Sequence, residues 1–199
     1  MIKILARKIA ITMGAQLQVD RDKVDVFAYG LEIVLGTLVQ LTLLIWLSLI
    51  VDVFITTMIC LMAFASLRYF GGGVHLSTYY GCLTIGIALL LALGKLAATI
   101  NINVQALTVI SVFALLMGTF TIFRWVPAGT EKKQIKDEVT RSRQRKKTLL
   151  VFIMWTIITF LLITQKSTGN AFAAVLGTLF SLFLITPWGT RLLKLLIIS

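Results

Sequence analysis

The sequence predicts an all-α integral membrane protein, a bundle of six transmembrane helices preceded by an amphipathic interfacial helix. Three observations support this prediction. First, 58% of the 199 residues are hydrophobic and 14% are charged, against roughly 45–50% and 25% in soluble domains. Second, the apolar residues form runs close to the ~20 residues that a helix needs to cross a bilayer. Third, Lys and Arg concentrate in alternate connections between these runs, which is the asymmetry that orients membrane proteins.

The apolar runs define the predicted spans of a single membrane domain, 1–199. They cover residues 26–51, 53–67, 82–100, 103–123, 149–164 and 171–188. Asp52, the Asn101–Asn103 turn and the polar stretch "QKSTGN" interrupt them, and a basic loop, 124–148, joins the fourth and fifth spans.

The first 22 residues predict a helix that lies in the lipid headgroup region. Apolar side chains repeat at helical spacing and the cations fall largely on the other side, as shown by Ile2, Leu5, Ile9 and Met13 against Lys3, Arg7 and Lys8. Such a helix binds anionic lipid through its cations. A cleavable signal peptide is the alternative, but no small-residue cleavage site stands out.

The positions of the cations predict the orientation. The N-terminal segment, the connection 68–81, the loop 124–148 and the C-terminal tail carry most of the Lys and Arg and fall on one side if six helices alternate. By the positive-inside rule, both termini and the 68–81 connection face the cytoplasm of a multi-pass protein. Thiols there stay reduced.

The stretch "RYFGGGVHLSTYYGC", residues 68–82, contains the only histidine of the chain and one of two cysteines. A nucleophilic cysteine needs a base or a positive field, and Cys82 starts a predicted helix, where free N–H groups favour a thiolate. Cys60 lies in mid-span and is most simply a small buried hydrophobic residue. Seven residues of continuous helix would separate His75 from Cys82 by about 10.5 Å, so a pair requires the chain to bend between them.

The glycine run before His75 has two interpretations. Gly71, Gly72 and Gly73 give the chain freedom to bend, and their amides are candidates to stabilise an oxyanion. Alternatively they form only a flexible turn, and Arg68 only an anchor at a helix end. A third catalytic group is not evident, and one His with one reachable Cys supplies too few ligands for a metal.

The ordered set Arg68, Gly72, Gly73, His75 and Cys82 resembles the motif of the accessory gene regulator B family, bacterial membrane cysteine endopeptidases that process a quorum-sensing peptide precursor. The length, basic N-terminal helix, six spans and proline-plus-basic loop are also similar. The resemblance implies His75 and Cys82 as the catalytic pair and a functional role for Arg68 and Gly73, near the cytoplasmic face of the bacterial cell membrane.

This resemblance also implies the reaction. Cys82 attacks a peptide carbonyl, the C-terminal tail of the precursor leaves, and an internal Cys or Ser displaces the thioester to close a thiolactone or lactone. The implied partner is a small precursor with an amphipathic leader and an acidic tail, which the cations of 132–147 and Arg68 could attract; the alternative is that these cations only fix topology and bind anionic lipid. A homodimer is also implied. We expect no cofactor and no nucleic-acid partner.

Two other function classes remain open. A small peptide exporter or transporter subunit would move the peptide without cutting it, although transporters coupled to ions usually carry several ionisable groups at mid-membrane and the spans hold few. A structural or lipid-binding membrane protein is the third class. Glu32 is expected to pair with Arg68 or to line a polar cavity, and "RYFGGG" and "RWVPAG" end two spans with the same pattern of Arg, aromatic and small residues.

Overall fold

A computed structural model describes residues 2–72, 79–128, 137–189 and 191–192. Within these ranges the chain forms α-helices and no β-strand: α1 Ile2–Leu17, α2 Arg21–Ile50, α3 Phe54–Gly71, α4 Tyr79–Thr99, α5 Val104–Trp125, α6 Glu138–Thr164 and α7 Thr168–Ile185. The chain divides into two units, residues 1–47 and 48–199.

The all-α membrane class is confirmed. Five helices of the described chain, α2, α3, α5, α6 and α7, are long and apolar enough to cross a membrane. The predicted third span corresponds to α4, whose apolar part, Leu83–Thr99, is a shorter helix. A sixth span and the orientation of the termini therefore stay predictions.

The basic loop predicted over 124–148 is helical in its second half, which corrects that boundary. Helix α6 begins at Glu138 because Asp137 caps it: the carboxylate accepts hydrogen bonds from the backbone N–H groups of Val139, at 3.2 Å, and Thr140, at 3.0 Å. An Asp at this position satisfies amides that have no partner within the helix. The cations that follow are thereby carried on a helix rather than on a loop.

In the first unit, α1 presents a stripe of small residues to its surroundings. Ala6, Ala10 and Gly14 are buried, and a side chain on Gly14 would collide with Val24. Leu5 and Met13 of the predicted apolar face are exposed. The small face is therefore the one covered by protein, which leaves the larger apolar side chains uncovered, and an interfacial position for α1 stays a prediction.

In the second unit, α3, α5 and α7 run in the same direction. Along α3 and α7 the contacts advance together, from Ala63 with Gly177 to the stacked rings of Phe64 and Phe180, 5.4 Å apart, and then to Gly71 with Ile185. Gly118 of α5 packs against Leu182 in the same sense.

Helices α4 and α6 run the opposite way. The Thr56 hydroxyl donates to the Gly94 carbonyl at 2.9 Å, which joins the start of α3 to the end of α4. Trp155 Nε1 of α6 donates to Ser66 Oγ of α3 at 2.8 Å. Hydrogen bonds between helices replace the missing aqueous partners inside a bilayer.

Helix α7 lies at the centre of this unit and packs against the other four helices. Its first half is dense in small residues, and Ala171, Ala173, Ala174 and Gly177 are all buried. Small side chains allow the backbones of neighbouring helices to approach closely. A chain segment this apolar is therefore covered mostly by protein rather than by lipid.

The two ends of the second unit differ in their connections. At the turn end, α4 joins α5 through residues 100–103 and α6 joins α7 through 165–167. At the loop end, where α3, α5 and α7 finish and α4 and α6 begin, the connections are 72–78 and 126–137. The rings of Trp125 and Trp188 lie 5.8 Å apart at the loop end, and aromatic residues of this kind favour the membrane–water interface.

Candidate functional site

The predicted site residues fall at the loop end. Arg68 lies in the last turn of α3, half-buried, with its guanidinium 5.7 Å from the centroid of the Phe64 ring. Gly71 is the last residue of α3 and Gly72 follows it. Cys82 lies in the first turn of α4, but its side chain is outside the described part of the chain. Gly73 and His75 are also outside the described residues.

The antiparallel pair α3–α4 sets Cys82 and Arg68 at the same level. The hydrogen bond between Thr56 and Gly94 fixes the register of the two helices. Cys82 precedes Gly94 by twelve residues and Arg68 follows Thr56 by twelve. At a rise of ~1.5 Å per residue, each lies about 18 Å from that bond along the pair. The start of α4 and the end of α3 therefore lie side by side at the loop end.

A backbone clamp closes the end of α3. The Gly72 N–H donates to the Arg68 carbonyl and the Ala128 N–H donates to the Gly71 carbonyl, both at 3.0 Å. Gly72 and Ala128 form an isolated parallel bridge. We call these residues, Gly71, Gly72 and 126–128, the clamp.

The position of Gly72 strongly favours glycine. Its φ is +76°, which side chains of L-residues rarely adopt, and a Cβ there would lie 2.6 Å from the Ala128 carbonyl oxygen. The Gly72 amide is already bonded to Arg68, so an oxyanion role for it would require that bond to open. These contacts favour a structural role for Gly71 and Gly72.

Three residues of the clamp's surroundings were not identified from the sequence. Arg145 Nε donates to the Val126 carbonyl at 3.2 Å, and a Cβ on Gly71 would meet Ile185 at 2.8 Å and Thr148 at 3.5 Å. The similar patterns of "RYFGGG" and "RWVPAG" were the available signal, since these are the two segments that meet. Arg145 gave no signal, because it is one of several cations in "RSRQRKK".

The loop end is also the basic end of this unit. Of the described charged residues, it carries Arg68, Arg124, Arg141, Arg143, Arg145, Lys146, Lys147 and Arg191 with Asp137 and Glu138, whereas the turn end carries Asp52, Lys95 and Lys166. Hydrogen bonds from the Thr140 hydroxyl, and then from the Thr140 and Val139 amides, lower the pKa of Asp137 from its usual 3.8. With eight cations against two carboxylates among these residues, this end attracts anions.

Two further observations complete the geometry. In the first unit, Glu32 lines a groove with Lys3, Arg7 and Asp25, and Arg7 pairs with Asp25 at 3.6 Å. Of the two roles predicted for Glu32, this position agrees with the lining of a polar cavity. Among the described residues, no three His, Cys, Asp or Glu side chains come together as metal ligands would.

Comparisons with known proteins give a consistent result. The family model described as Accessory gene regulator B matches residues 6–185. The AgrB-like protein 2 of Clostridium perfringens (strain 13 / Type A) is 24% identical over 98% of this chain and 95% of its own. The AgrB-like protein of Listeria welshimeri is 26% identical over 83% and 78%. The accessory gene regulator protein B of Staphylococcus aureus (strain MRSA252) is 23% identical over 66% and 68%. No solved structure matches.

Proposed function

This chain belongs to the accessory gene regulator B family, and from that premise we propose that it is a membrane cysteine endopeptidase. Its substrate is the precursor of a cyclic quorum-sensing peptide. It removes the C-terminal tail of that precursor and promotes ring closure of the remainder. His75 and Cys82 are the proposed catalytic pair.

The proposed reaction has two acyl transfers. His75 takes the proton of the Cys82 thiol, and the thiolate attacks the carbonyl carbon of the peptide bond before the tail. The tetrahedral intermediate collapses as the C–N bond breaks, and the proton passes to the amine of the leaving tail. A thioester remains on Cys82. An internal Cys or Ser of the bound peptide then attacks that thioester, which restores the Cys82 thiol and closes a thiolactone or lactone.

The observation that carries this proposal is that the end of α3 and the start of α4 lie side by side. The first turn of α4, where Cys82 lies, stands at the level of Arg68 on α3, and His75 belongs to the connection between the two helices. Free N–H groups in a first helical turn favour a thiolate. A site at the membrane boundary also limits water, which favours ring closure over hydrolysis of the thioester.

The charge of the loop end supports the substrate class and the orientation. A precursor with an acidic tail would be attracted by the cations at the start of α6 and by Arg68. By the positive-inside rule the same end faces the cytoplasm, with both termini on that side and anionic lipid beside it. The proposal also includes a homodimer, for which membership of the family is the only support.

Co-expression with a precursor that carries an internal Cys or Ser ahead of an acidic tail tests the proposal. Mass spectrometry of the peptide should show loss of the tail and, for the cyclic product, a mass one water below that of the linear cleaved peptide. Cys82→Ser and His75→Ala should each abolish tail removal. Cys60→Ala is the matched control and should retain it, because Cys60 is buried between α3 and α7.

Tail removal by Cys82→Ser would overturn the peptidase assignment. If uncut precursor accumulates outside the cell only when this protein is expressed, the result would instead favour a peptide exporter.

A further inference from the structure

The connection that follows α5 is held by one side chain of α6. Residues 126–128 offer few polar backbone groups to their surroundings, because Pro127 has no N–H. The Ala128 N–H is bonded to Gly71 and the Val126 carbonyl is bonded to Arg145 Nε. Both ends of this three-residue segment are therefore fixed by hydrogen bonds to other elements.

The segment is also fixed by burial. Val126 is 1% exposed and lies in a cluster with Leu67, Ile122 and Ile185, and Ala128 packs against the same cluster. A buried carbonyl without a partner costs free energy comparable to a lost hydrogen bond. Arg145 thus supplies a bond that the Val126 carbonyl needs in this position.

Arg145 differs from its neighbours on α6. It is half-buried, whereas the adjacent cations Arg143, Lys146 and Lys147 are exposed. Its Nε bonds to a backbone atom nineteen positions away. This geometry uses the donor of Arg145 rather than its charge alone.

We propose that Arg145 is a positioning residue for the reaction of the loop end, an inference that rests on the function proposed above. Through Val126, Arg145 holds the 126–128 segment against Gly71 and Gly72. The clamp fixes the end of α3, with Arg68, and the point at which the chain leaves α3 towards His75. Loss of the Arg145 bond lets this end move, so correctly aligned enzyme becomes rarer while the peptide still binds.

A matched pair of variants isolates the donor. Gln places an amide nitrogen as many bonds from Cα as Arg Nε, while Met has a methyl group there, and both lack the charge. In liposomes with purified precursor added at varied concentration, Arg145→Gln should retain kcat, whereas Arg145→Met should lower kcat about tenfold with KM within about twofold of the Gln variant. Lys146→Met removes one neighbouring charge and should raise KM without lowering kcat.

A second measurement reports on the clamp without activity. Hydrogen exchange of the backbone around Ala128 should accelerate in Arg145→Met and stay slow in Arg145→Gln, with one cooperative thermal transition in each showing that both variants are folded. Combining Gly72→Ala with Arg145→Met should lower kcat little further than either change alone, because both open the same clamp.

The outcomes separate the inference from the proposed function. Equal kcat in the Gln and Met variants, or retention of kcat by Arg145→Lys with loss in Arg145→Gln, would overturn the positioning role even where Cys82→Ser is inactive. Unchanged exchange at Ala128 in Arg145→Met would overturn it as well. Persistent cleavage by Cys82→Ser would overturn the proposed peptidase function. If the exchange at Ala128 still behaves as expected, the clamp itself would remain supported.

Discussion

The two ends of the second unit use the same five helices in different ways. At the turn end, connections of a few residues are satisfied locally: Asn103 caps α5 by accepting from the Ala106 amide at 2.7 Å, and Lys166 turns the chain with a φ of 58°. At the loop end, the connections are long, and the Ala128 N–H of one donates to the Gly71 carbonyl at the start of the other. The short connections at the turn end are closed by local hydrogen bonds. The longer connections at the loop end contain enough residues to form a site, and tertiary contacts are needed to hold these connections in place.

Accessibility from the two sides of the membrane gives the largest expected difference between the ends. In a chain lacking Cys60 and Cys82, Ser142→Cys at the start of α6 and Asn101→Cys in the α4–α5 turn place one exposed thiol at each end. A membrane-impermeant maleimide should label Ser142→Cys only in inside-out vesicles and Asn101→Cys only in right-side-out vesicles. Labelling of both from the same side would break the comparison.

Alanine substitution of one glycine beside a connection at each end should have different effects on stability. Gly72→Ala combines a positive φ with a contact at 2.6 Å and should cost about 1–3 kcal/mol. Gly169→Ala at the turn end meets only the Ala97 carbonyl at 3.2 Å and gains up to about 1 kcal/mol of helix propensity, so its net effect should be close to zero. Thermal midpoints in detergent measure both. A larger loss for Gly169→Ala would contradict the constraint assigned to Gly72.

The helix caps give the smallest effect and one that depends on pH. The pKa of Asp137 is lowered in the folded state. The stability that this cap contributes is therefore fully present above the ordinary carboxyl pKa of 3.8 and is lost as pH falls through the lower folded-state pKa. Protection of the Thr140 amide from exchange should decline over that range. Protection of the Ala106 amide should not, because Asn103 does not ionise, and Asp137→Asn should remove the pH dependence at Thr140. A parallel decline at Ala106 would count against the cap as its cause.

Much of the fold was accessible from local sequence. Asp52 was predicted to separate the first two spans. It lies between α2 and α3 with a φ of 57°, a conformation that Asp tolerates better than most residues. The start of α6 was placed too late, because the cations after Asp137 resemble a loop in composition although Asp137 can cap a helix. The site was accessible only as a set of types and spacings, since neither hydropathy nor periodicity states how the 72–78 connection is held.

The sequence by itself determined the membrane class, the approximate spans and the candidate residues Arg68, His75 and Cys82, because hydropathy and spacing are properties of contiguous chain. Only the tertiary structure decided that α7 lies at the centre, that Ala128 bonds to Gly71, and that Arg145, rather than its neighbours, holds Val126. The physical reason is that a backbone bond between distant segments depends on which helices pack side by side. That choice follows from where small residues such as Gly118 and Gly177 let helices approach, a property of pairs of helices and not of any one stretch.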